Sequence, residues 1–221
     1  MKKTNHIPKS MKKVLGKYVK NHYPDEFDAI MESAESHYER FSKEFPDLGG
    51  KENMLAGNRE IFLAFIAAYE ASGHRIGASF IDELIDIFYQ KLRFISRIAD
   101  FNKPWLAKLM YRLYVPYAKK VKRKKESGEW KAAWDISINP DQRTEGCCFH
   151  LIGCPLAEFA KSHGYADLMP SVCLIDHKTA ELMHAKLIRT HTVALGSDSC
   201  DYWYVGDRSK IADQYSGMKR I

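Results

Sequence analysis

The sequence predicts an α+β fold: a helical N-terminal half of about four helices, followed by a small antiparallel sheet with one or two helices. Three observations carry this expectation. Apolar residues recur at helical spacing over the first ~125 residues. The period switches to two just after Ser127–Gly128, and short runs bounded by Gly, Pro, Asn and Asp follow from there. At 221 residues with 45% hydrophobic and 12% aromatic content, the chain can also bury a sizeable core without disulfide staples. The expected organisation is a helical region with a basic N-terminal tail over 1–127 and an α+β region over 128–221, integrated as one domain over about 50–205.

Pro24 and Asp25 open the first amphipathic stretch, with Phe27, Ile30, Met31, Ala34, Tyr38 and Phe41 at helical spacing, and Pro46 and Gly49–Gly50 end it. A second helix is expected over roughly 52–71, closing at Gly73. A third runs from about Gly77 to Asp100, with Phe80, Leu84, Ile87, Phe88, Leu92 and Ile95 on one face. Pro104 starts the fourth as a first-turn proline, and Pro116 is expected to kink it. WKAAWDISIN at 130–139 alternates as a strand, and Asn139–Pro140–Asp141 is a turn. Glu145–Ile152 is a second strand, with Cys147, Phe149 and Leu151 on one face and Cys148, His150 and Ile152 on the other. The helix CPLAEFAKSHG follows, then strands over Lys186–Leu195 and Cys200–Val205.

Composition removes several functional classes. The longest apolar run, at 61–69, is too short to span a bilayer, and no export signal is read at the start. A cytoplasmic protein without membrane contact is therefore expected. Five cysteines, an odd count, argue for reduced thiols. The net charge of +6 gathers in an N-terminal set (Lys2, Lys3, Lys9, Lys12, Lys13, Lys17 and Lys20) and in the run at 119–125. Neither is interleaved with stacking aromatics, which disfavours nucleic acid as a partner.

The chemistry-bearing residues cluster toward the C-terminal end. Cys154, between Gly153 and Pro155, takes the N-cap of a helix, where unpaired N–H groups and the helix dipole lower a thiol pKa. Cys173 and Asp176 stand three residues apart, on one face if the segment is helical. On a strand over 186–195, Arg189, His191 and Val193 share a face; a buried Arg189 needs an anion, either Asp176, Asp201 or a substrate carboxylate. Cys200 shares a face with Tyr202 and Tyr204, and Asp201 shares the other with Trp203. Cysteine spacings of 19 and 27 residues match no common zinc or iron–sulfur pattern, so a metal on Cys154, Cys173 and Cys200 is disfavoured and no cofactor is expected.

In order and spacing, Cys-Pro…Gly from Cys154, Cys-x-x-Asp from Cys173, Arg-Thr-x-Thr…Gly from Arg189 and Cys-Asp-aromatic from Cys200 resemble the L-2-amino-thiazoline-4-carboxylic acid hydrolase family. The resemblance covers roughly residues 55 to 205. It implies a bacterial hydrolase that opens a cyclic amidine or related small heterocycle. It marks Cys154, Cys173, Asp176, Cys200 and Asp201 as catalytic candidates, with Arg189 and Thr192 on a small substrate carrying a carboxylate. A sensing or binding domain for a small molecule or metal, without turnover, is the alternative.

Overall fold

The computed structural model describes residues 5–92 and 94–221. The expected α+β order is present. Helices α1 (Lys9–His22), α2 (Phe27–Glu44), α3 (Gly57–Ala71), α4 (Ala78–Leu92) and α5 (Pro104–Glu126) precede strands β1 (Asp135–Ile138) and β2 (Cys147–Ile152). Then come α6 (Pro155–Ser162), α7 (Met169–Cys173), α8 (Ile175–Leu182), β3 (Ala185–Ile188), β4 (Ser199–Gly206) and α9 (Lys210–Gln214).

Where a basic tail is expected, α1 is an amphipathic helix. Met11, Val14, Leu15, Tyr18 and Val19 are buried at successive intervals of three, one, three and one, while the lysines between them face water. The lysines dominate the composition and hide the stripe. Lys2 and Lys3 lie outside the described residues, as do the side chains of Phe88 and Leu92 that were expected on the α4 face. Helix α5 runs through Pro116 to Glu126 as one element.

The four strands form one antiparallel sheet in the order β1-β2-β4-β3. The register sets Leu151 opposite Cys200 and His150 opposite Asp201. One sheet face carries Cys147, Phe149, Leu151, Cys200, Tyr202 and Tyr204 into the main core shared with the helices. The other carries Cys148, Ile188, Trp203 and Val205 against Ala212 of α9. The two-residue alternation read for β2 and β4 therefore holds.

Two expected strands are shorter than their sequence patterns. The alternation from Trp130 pairs only from Asp135. Trp130 and Trp134 are buried outside the ladder, Trp130 with Tyr117 and Val121 of α5. β3 ends at Ile188, and the chain then loops to a single 3-10 turn at Val193–Leu195. The shared strand face of Arg189, His191 and Val193 does not form. Asp201 competes for the backbone there, taking the N–H groups of Thr190 and His191 that strand pairing would need.

Candidate functional site

Gly153 adopts φ +66°, a left-handed conformation that glycine reaches without cost, and this turns the chain from β2 into α6. Cys154 follows as the N-cap in extended geometry, with Pro155 in the first turn. Cys173 ends α7, and Asp176 lies in the first turn of α8. Cys200 and Tyr202 project from β4 on the core side.

These side chains meet. A cavity of about 80 Å³ is lined by Cys154, Cys173, Cys200, Asp176, Tyr202 and Trp134, with Asn58 and Ile61 of α3 and apolar residues that include Leu151, Leu156 and Met169. A water needs only about 10–15 Å³ of such space, so the cavity is larger than a single-water void. The three sulfurs thus converge on one place from three separate segments. Larger depressions elsewhere on the surface, such as one of about 320 Å³ beside His177, Lys186 and Arg220, contain none of the cysteines.

Asp176 is the anchor of this arrangement. Its Oδ2 accepts from Arg189 Nη1 at 2.7 Å and from the Tyr202 hydroxyl at 2.8 Å. Arg189 is 1% exposed. Its remaining donors go to the Cys173 carbonyl at 2.8 Å and to the Ile221 main-chain oxygen, reached by Nε at 2.7 Å and also by Nη2. Burial alone would lower the Arg189 pKa, but Asp176 and Tyr202 outweigh it and raise the pKa overall, so the guanidinium stays charged. Its donors are committed to protein acceptors and it does not line the cavity. Of the three anions named for a buried Arg189, it pairs with Asp176 in an internal ion pair that fixes the carboxylate.

Asp201 and Thr192 also stand apart from the cavity. Both Asp201 oxygens accept from the Thr190 N–H at 2.9 Å; Oδ1 also takes the His191 N–H and Oδ2 the Thr190 hydroxyl, each at 2.9 Å. The carboxylate closes the loop after β3. Thr192 is fully buried, and its carbonyl organises the same loop by accepting from Leu195 and Ser197 at 3.1 Å each. Asp201 is expected as catalytic and Thr192 as substrate-binding; both lie in or on this loop and neither lines the cavity.

The thiols do not behave as the helix N-terminus suggested. Burial raises the Cys154 pKa and outweighs the N–H groups of Ala157 and Leu156 and the Trp134 indole, which act to lower it; the sulfur makes no capping hydrogen bond. Burial pushes Cys173 up to about 12, with the Asp176 charge adding to it. Burial likewise pushes Cys200 up to about 11 despite the Val193 N–H, which donates to its sulfur at 3.2 Å. Burial with Asp176 close by also raises Tyr202 well above its ordinary value. At neutral pH the site therefore holds three thiols and a neutral phenol beside Asp176.

Trp134 and Asn58 join the site without a sequence signal. Trp134 lies in the alternating run expected to be strand, and Asn58 in a helix expected to be core. A tryptophan whose N–H needs a buried acceptor was the available cue.

The family model described as L-2-amino-thiazoline-4-carboxylic acid hydrolase matches residues 58–204, a span that contains every residue lining this cavity. No curated protein and no solved structure matches the chain.

Proposed function

This chain belongs to the L-2-amino-thiazoline-4-carboxylic acid hydrolase family, and on that premise we propose that it hydrolyses a small cyclic amidine of the 2-aminothiazoline type in the cavity of Cys154, Cys173 and Cys200. The single observation carrying this reading is the convergence of the three cysteines with Asp176 on one pocket. Asp176 lines that space with Oδ2 held by Arg189 and Tyr202, which leaves the carboxylate oriented toward a ligand.

A protonated amidine carries the charge that an aspartate in an apolar cavity attracts. We assign Asp176 to the amidinium and to proton transfer. The arriving cation also offsets the desolvation that keeps the thiols protonated. The Cys154 proton passes to Asp176, and the sulfur, held by the Trp134 indole and the start of α6, bonds to the amidine carbon. One ring bond to that carbon breaks, and Asp176 returns the proton to the departing heteroatom. Water then adds to the same carbon and releases Cys154 as the thiol, so the sum is ring plus water giving an open-chain carbamoyl product. No lysine, arginine or histidine lines the cavity among the described residues. We therefore set a substrate carboxylate at the rim, where Asn58 is exposed, rather than beside Arg189.

The test is turnover of 2-aminothiazoline-4-carboxylate and of its carboxylate-free analogue, followed by product formation. Wild-type protein is expected to open the ring, and Cys154→Ser to lose at least ~100-fold in kcat while still binding. Undiminished turnover in Cys154→Ser removes the nucleophile assignment, and no turnover of either compound by wild type removes the hydrolase reading. The raised thiol pKa values favour one second reading, a binding domain that holds the cation without reacting; a thermal shift with the same compounds and no product would establish it.

A further inference from the structure

On the sheet face away from the cavity, a second set of donor atoms converges. Cys148 and His150 alternate along β2 and so leave the same face, and Asp141 reaches them from the turn after β1. Asp141 Oδ2 lies 3.3 Å from His150 Nε2 and 3.8 Å from Cys148 Sγ, and the three ligand atoms all fall within 4.8 Å of one another. A tetrahedral centre with metal–ligand bonds of about 2.0–2.3 Å spaces its ligand atoms about 3.3–3.7 Å apart. The oxygen–nitrogen and oxygen–sulfur separations already sit close to that spacing.

The turn that presents Asp141 is built. Asn139 has φ +48° and Gln142 has φ +53°, and the Asn139 side chain binds the Arg143 backbone both ways, to its carbonyl at 3.1 Å and from its N–H at 2.9 Å. The Asn139 N–H donates to the Cys148 carbonyl at 2.9 Å, which ties the turn to the strand that carries the other two groups. Asp141 is therefore held in place.

The Cys148 thiol is buried and donates to Asp141 Oδ2, and His150 Nε2 bonds to the same oxygen. Arg143 flanks the carboxylate: its Nη2 is 3.8 Å from Asp141 and its guanidinium lies 4.1 Å over the Trp203 ring. A bound divalent cation would stabilise the carboxylate and the thiolate together. The His191 ring stands edge-on to His150 at 5.4 Å, but its nitrogens face Asp201 at 3.4 Å and Ser199 at 3.2 Å, which leaves the fourth position to water.

We propose that Asp141, Cys148 and His150 form a divalent-cation site of the zinc class, with three protein ligands and one water. A set of one thiolate, one imidazole and one carboxylate suits a borderline-soft tetrahedral ion. It pins the turn after β1 to β2, and so braces the hairpin whose other face contributes Leu151 to the cavity. The proposal does not depend on the hydrolase reading.

The test uses the full chain, stripped with a chelator and titrated with Co²⁺, then with Zn²⁺. The expected result is one equivalent bound, with a thiolate-to-cobalt charge-transfer band and tetrahedral d–d absorption, both removed by Zn²⁺. Asp141→Asn, a change in a partly exposed turn that folding tolerates, should weaken Zn²⁺ at least ~10-fold by calorimetry. Cys148→Ser should abolish the charge-transfer band, and Cys154→Ser should leave it unchanged. Absence of a thiolate band in wild-type protein overturns the site. So does a band that survives Cys148→Ser and disappears in Cys154→Ser, which would move the metal to the cavity.

Discussion

Asp176 and Asp201 each follow a cysteine of the cluster within three residues, and both are near an arginine or histidine, yet their surroundings put them to different uses. The Asp201 oxygens are taken up by two backbone N–H groups and a threonine hydroxyl from one loop. Asp176 meets side chains from other elements, Arg189 and Tyr202, through Oδ2, and it borders the cavity. The first carboxylate replaces missing strand hydrogen bonds, and the second is positioned by a buried cation while keeping contact with a ligand space. A carboxylate's use is decided by who takes its lone pairs, and that is a property of the fold around it.

The pair of amide substitutions separates these uses most sharply. Asp176→Asn keeps an oxygen to accept from Arg189 and Tyr202 but cannot take a proton, so kcat of the folded protein for a cyclic amidine should fall about 10³-fold, and losing the buried ion pair should cost about 3–5 kcal/mol. Asp201→Asn leaves one of its N–H partners facing an amide N–H. It should cost about 2–4 kcal/mol in a urea melt, with kcat of the folded protein within a few-fold of wild type. If the folded Asp201→Asn protein loses activity as steeply as Asp176→Asn, the division between the two carboxylates is wrong.

A smaller effect tests the wall opposite Asp176. Trp134→Phe keeps most of the packing volume and removes the indole N–H directed at the Cys154 sulfur. One hydrogen bond to a developing thiolate corresponds to about a 10-fold loss in kcat and in the alkylation rate of Cys154. An unchanged alkylation rate would show that the start of α6 alone activates the sulfur.

The contrast also explains which parts of the molecule the sequence revealed. The faces of β2 and β4, the N-cap position of Cys154 and the meeting of Cys154, Cys173, Cys200 and Asp176 follow from local periodicity, cap chemistry and the family pattern, and the structure contains them. Asp176 stood among the anions named for Arg189, but the loop that holds Asp201 and Thr192 was not legible, because it depends on where the chain goes after Ile188. The alternation of RTHTVALG favours a strand; the side chain of Asp201, eleven residues from Thr190, outcompetes the ladder for its N–H groups. The lowered thiol pKa expected at Cys154 failed for a related reason. The helix start is visible in the sequence, but the depth of burial that outweighs it is set in part by Trp134 and Met169 from other segments. Helix α1 was hidden by its own lysines, whose number obscures an apolar stripe of ordinary spacing.

The last and smallest test follows from the protonation of the cavity. Burial pushes Cys173 up to about 12 and Cys200 up to about 11, from an ordinary value of 9.0. Raised values mean that the native state keeps protons that the unfolded chain releases above pH ~9. Each thiol therefore contributes stability that is fully present below that pH and is lost as pH rises through the folded value. Unfolding free energy from urea melts should decline between pH 9 and pH 11, by about 1 kcal/mol for each such thiol after allowance for solvent access. Cys200→Ser, which does not titrate in this range, should flatten the decline, whereas Asp201→Asn, one residue away but outside the cavity, should leave its slope unchanged. Equal slopes for wild type and Cys200→Ser would mean that Cys200 is wetter than its packing against Leu151, Tyr202 and the Val193 N–H implies. The apolar cavity, and with it the electrostatic attraction assigned to Asp176, would then be weaker than the contrast with Asp201 requires.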